Sequence, residues 1–92
     1  MADSSIIGRH VSSVSSSSAS LIDFGTTVQK IYVTVITNDV FIEFNGTANS
    51  DSFRCVAGQA TIEFELDQSN VRTVSLLAAT GTANAYVLGV VR

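Results

Sequence analysis

From Leu21 onward the chain is a succession of short runs rich in β-branched and aromatic residues, broken by turn residues at roughly ten-residue intervals, with no window of helical period. Val28 to Thr37 sets Ile31, Val33 and Val35 on one face. Its other face carries Val28, Lys30, Tyr32, Thr34 and Ile36 and is only partly polar, which predicts a strand that is central or covered on its second side. Asn38-Asp39 offers a tight turn into Val40 to Phe44, and the two runs are expected to pair as a hairpin, because Asn and Asp tolerate left-handed backbone angles. Asn45-Gly46 ends that strand, and a short strand over Ser52 to Val56 follows a polar loop. Ala60 to Leu66 has the cleanest alternation, with Ala60, Ile62, Phe64 and Leu66 on one side and Thr61, Glu63 and Glu65 on the other. After a loop over Asp67 to Asn70, Val71 to Ala78 and Ala83 to Val91 are expected to form a second hairpin around Ala79-Thr80-Gly81-Thr82. The small residues Ala83, Ala85 and Gly89 in the last run imply the close approach of another backbone or a bulky neighbour. Leu21 to Phe24 can add an edge strand. The pattern predicts an all-β fold, a small antiparallel β-sandwich of jelly-roll or Greek-key type, over residues 21–92.

Residues 1–20 read differently. Ser4, Ser5, Ser12, Ser13, the run Ser15 to Ser18, and Ser20 leave little side chain to bury, and such a stretch does not offset its own ordering entropy. It is expected to be a mobile or partner-ordered N-terminal arm. Ile6, Ile7, Arg9, His10 and Val11 form a sticky patch within it, the apolar three as contacts and Arg9 and His10 as polar anchors for a partner.

Composition narrows the function. A chain of 92 residues holds one hydrophobic core, and at this size self-association is a useful supplement to stability. Cys55 is the single cysteine, so no internal disulfide forms, and with His10 it exhausts the soft-ligand supply for zinc or iron–sulfur sites. Five Lys/Arg against eight Asp/Glu, for a net charge of −3, give no nucleic-acid footprint. No apolar run approaches the roughly 20 residues of a membrane helix, and the opening Met1-Ala2-Asp3-Ser4-Ser5 lacks the basic start of a secretory signal. His10 sits in the arm, and no serine lies in a Gly-x-Ser-x-Gly turn, so Ser–His catalysis is not expected. Cys55 shares a strand face with Phe53 and reads as a small core residue, while Arg54 points the other way. Glu63 and Glu65, about 7 Å apart on one face, read as solubilising charges that deter edge aggregation, and the Asp residues sit in separate turns without calcium-loop spacing. Glycine-rich phosphate loops are absent, and Asn45-Gly46-Thr47 reads as a turn although it matches a glycosylation acceptor. No cofactor, metal or enzymatic activity is expected.

The stretch Thr37 to Ala48 (TNDVFIEFNGTA), then Ser52-Phe53-Arg54 and Ala57-Gly58, and the ending Ala79-Thr80-Gly81-Thr82-Ala83 followed by Tyr86 to Val91, resembles a layout recurring in small tailed-bacteriophage virion proteins. The resemblance covers Val28 to Arg92 and leaves the serine-rich arm unmatched. It implies a structural protein, most simply a capsid decoration (cement) protein. Such a protein would bind the major capsid protein on the assembled shell, associate with itself as a homotrimer, and reside in the virion after synthesis in the host cytoplasm. A negative charge suits a protein that must stay soluble and avoid packaged DNA. A neck, tail or fibre-base subunit is the alternative within the same class. A carbohydrate-binding sandwich is a further one, with only Tyr32 and Tyr86 to stack on a sugar ring.

Overall fold

The computed structural model describes residues 6–66 and 70–91. The described residues form eight strands: β1 (Ile6–Ser15), β2 (Ser20–Asp23), β3 (Val28–Thr37), β4 (Val40–Phe44), β5 (Phe53–Cys55), β6 (Ile62–Glu65), β7 (Thr73–Ala78) and β8 (Thr82–Val91). They make two antiparallel four-stranded sheets, ordered β1-β8-β3-β6 and β2-β7-β4-β5. Every sheet neighbour except β4–β5 is distant in sequence, which is the jelly-roll arrangement of two interlocked Greek keys. The all-β sandwich read from the sequence is therefore the fold observed.

The core lies between the sheets. Ile31, Val33, Val35, Ala83, Ala85 and Val87 enter it from the first sheet, and Ile22, Val40, Ile42, Val74, Leu76 and Ala78 from the second, all at 5% exposure or less. Alternation along β3 and β8 supplies the inward rows, as the period of two requires. The expected close approach at Gly89 is the ring of Phe24, whose Cε1 would lie 2.8 Å from a Cβ built there. Cys55 is wholly buried in the core, and burial pushes its thiol up to about 11, far from the reactive thiolate range.

Three expectations need correction. The Asn38-Asp39 turn does not close a hairpin, because β3 and β4 lie in different sheets. Asn38 does adopt the left-handed angle (φ 60°), yet the turn is a corner that carries the chain across the sandwich. Both edges of β3 are already occupied, by β8 and β6, so β4 has no place beside it. The Ala79–Gly81 turn is a second such corner, since β7 and β8 also lie in opposite sheets. The two corners are tied together: the Ala79 N–H donates to the Asp39 carbonyl at 2.9 Å, and the Asn38 amide donates to the Thr82 carbonyl.

The third correction concerns residues 1–20. Over Ile6–Ser15 the chain is not a free arm but a ten-residue edge strand, paired with β8 from Ile6↔Val90 to Ser15↔Thr82. Backbone pairing and the wholly buried Val14 order a segment that has few side chains to contribute. A register shift between Val11 and Val14 brings Val14 to the inward face. Residues 1–5 of the expected arm, and Asp67–Ser69 of the expected loop, lie outside the described residues.

Candidate interaction surface

The strands place the five expected contact residues on two sides. Ile7 and Val11 turn inward and, half-buried, pack against the core. Ile6, at 63% exposure, faces out with Gly8 and His10, while Arg9 lies exposed along the edge with its Nη1 donating to the Gly8 carbonyl at 2.9 Å.

What the sequence reading missed is the surface His10 joins. His10 pairs in register with Tyr86, and their rings stack with centroids 4.1 Å apart and planes 10° from parallel. Its Nε2 lies 2.6 Å from Asn84 Oδ1. Tyr86 is in turn opposite Thr34, whose hydroxyl is 2.7 Å from that of Thr61. One register step away, Gly8, Leu88, Tyr32 and Glu63 line up across the same four strands. Gly8, His10, Tyr32, Thr34, Tyr86 and Leu88, with Thr61, border an open hollow of about 500 Å³ on the outer face of the β1-β8-β3-β6 sheet. Both tyrosines and the single histidine of the sequence thus converge on one face. The partly polar second face of Val28 to Thr37 was the available signal. The contributions of β1 and β8 depended on a pairing that alternation does not reveal.

The margins of this face are charged. Lys30 Nζ lies 3.4 Å from Glu63 and 3.2 Å from Glu65, and the hydrogen bond and charge of Glu65 raise the lysine pKa above its ordinary value. Glu63 and Glu65 are exposed on the sheet's outer side, as a solvated strand face requires.

The other sheet treats its outer face differently. Its own loop folds back over it: the Ala48 N–H donates to the buried Ser75 hydroxyl at 2.9 Å, and Ser52 donates to Glu43 at 2.9 Å. Arg54 lies over the Phe41 ring at 5.7 Å while binding Asp39. At the open side of the sandwich, between β5 and β6, Phe64 meets Phe44 and Phe53 edge to face at 5.1 and 5.5 Å, and Phe53 remains 57% exposed. Among the described residues no group of three His, Cys, Asp or Glu side chains is placed to hold a metal ion.

The fold and these surfaces define a small jelly-roll sandwich with large apolar side chains left on its outside. No family model matches the chain, and no curated protein matches it in sequence. A solved structure described as "Bacillus endospore appendages form a novel family of disulfide-linked pili" is similar in fold, with a TM-score of 0.51 at 20% identity over 97% of this chain and 88% of that one. At that identity the likeness is one of fold. The linkage named there differs from anything Cys55 offers, since this sequence has no other cysteine and the Cys55 thiol is buried.

Proposed function

We propose that this chain is a non-enzymatic structural subunit that works by packing onto copies of itself and onto a larger assembly. The observation that carries the reading is the set of large apolar side chains on the outside of a small sandwich: Ile6, Leu21, Ile36, Phe53, Val56 and Tyr86 are each 46–64% exposed. They lie on both sheets, so each face of the sandwich offers apolar side chains to a partner. The fold likeness to a protein described as forming pili supports the same class.

Within that class the reading is a capsid decoration protein acting on the virion after synthesis in the host cytoplasm. Its support is the turn-and-strand layout from Val28 to Arg92 and the net charge of −3, which disfavours attachment to packaged DNA. A neck or tail ring is the second reading. Cryo-electron microscopy of particles from the source culture tests both. Density for the sandwich at every equivalent position of a shell supports decoration, and density confined to one vertex or the tail supports the ring. A protein found on no particle, and monomeric at every concentration in sedimentation, overturns the structural reading itself.

A further inference from the structure

We infer that the outer face of the β1-β8-β3-β6 sheet is the seat of a second copy of this chain, packed face to face about a two-fold axis running along the strands between β8 and β3. The inference deepens the assembly reading by naming one of its surfaces and the partner that fits it.

The face is stepped, and its steps are complementary to themselves. Across the strands one row reads His10, Tyr86, Thr34, Thr61, high at the β1 end and low at the β6 end. The next row reads Gly8, Leu88, Tyr32, Glu63, empty at the β1 end and high at the other. A two-fold axis along the strands reverses each row against itself. The His10–Tyr86 ridge of one copy then enters the hollow over Thr34 and Thr61 of the other, Leu88 meets Tyr32, and the long Glu63 side chain meets the space above Gly8. That space is real: a Cβ added to Gly8 would touch nothing within 4 Å.

Charge selects the same axis. The β1 end carries the Arg9 guanidinium along its edge, and the β6 end carries Glu63 and Glu65 with Lys30 beside them, a net −1. An axis along the strands lays each basic end over an acidic one, whereas an axis across the strands would lay like on like. The centre holds tyrosines and Leu88 with the charges at its rim, the distribution of a protein–protein contact. Three strands of ten residues and one of four, spaced about 4.8 Å at about 3.3 Å per residue, give a face of about 540 Å². Two such faces together reach the ~1,000 Å² that a specific interface needs. Twist turns the paired sheets by about 30°, which leaves the central rows in register.

Sedimentation equilibrium of the full chain tests this with three variants. Gly8→Leu fills the space above Gly8 without touching the fold, Tyr86→Asp removes the ridge, and the exposed Thr47, in the loop over the other sheet, gives the control Thr47→Asp. The expected result is a dimer whose dissociation constant rises about tenfold or more with Gly8→Leu and with Tyr86→Asp and is unchanged by Thr47→Asp. A trimer, a dimer indifferent to both face variants, or a monomer whose Tyr86 signals respond saturably to a free sugar overturns the inference. Association or particle binding that survives both face variants leaves the assembly reading standing and removes only this surface. A chain that neither associates nor binds particles removes both.

Discussion

Asp39 shows how much a single side chain settles here. One carboxylate oxygen accepts the Ala57 N–H at 2.9 Å, and the other accepts Arg54 Nε and Nη2 at 2.9 and 2.7 Å, so one residue pins the first corner to the β5 side of its sheet. The Ala57 N–H, and then the Arg54 guanidinium, hold the carboxyl below its ordinary value of 3.8. A group whose pKa is depressed by folding contributes stability that is present above its unfolded value and lost as pH falls through the folded one. Denaturant titrations at falling pH should therefore show stability declining from about pH 4 downward. Asp39→Asn should lower stability at neutral pH and flatten that acid limb. An acid limb unchanged in the variant would show that Asp39 does not report the corner. The same logic of local satisfaction holds at Asn45, where φ is 56°. Its side-chain oxygen accepts from the Arg72 and Thr73 N–H groups and its amide donates to the Asn70 carbonyl, so the turn reading of this residue accounts for its polar atoms.

At the scale of the element, β1 is the strand whose place the sequence hid. Ile7, Val11 and Val14 are its inward residues, and their spacing breaks the period of two because the register shifts between Val11 and Val14. A regular strand would have put Ser13 inward, and a serine-rich run with that phase reads as uncommitted chain. Val14 is wholly buried, so Val14→Ala should cost about 2 kcal/mol in urea unfolding, the price of emptying a core position. A free arm would give no change. Deleting residues 1–15 would also expose the β8 edge and a strip of core. Loss of the cooperative transition is therefore the expected outcome, and this truncation does not isolate a binding role for the segment.

On the scale of the whole molecule, the topology sets the folding problem. β1 pairs with β8, and Ile6 meets Val90, so the first and last strands must find each other before the first sheet closes. Among the described residues the only strand pair adjacent in sequence is β4–β5. Chains dominated by distant pairings lose loop entropy before contacts repay it, and refolding by stopped flow is expected in the range of about milliseconds to seconds. A complete microsecond phase would contradict the strand order. The same closure leaves β1, β6, β2 and β5 as the four sheet edges and the outer face of the first sheet bare, which is where a protein of this size has surface to spend on partners.

From Leu21 onward, alternation along the chain determined which segments are strands and which side of each is apolar. Val28–Thr37 and Val40–Phe44 have the bounds read from the sequence, and the β-sandwich class follows from them. Burial of Cys55 and a bulky neighbour for Gly89 were legible for the same reason, since both depend only on a residue's own face and size. Tertiary structure alone decided the partners. A turn such as Asn38-Asp39 has the same local chemistry whether it closes a hairpin or rounds a corner, and the choice falls to which sheet has a free edge. The surface where His10, Tyr86, Thr34 and Tyr32 meet is likewise a product of register between strands far apart in the chain, information carried by backbone pairing and by no side chain singly.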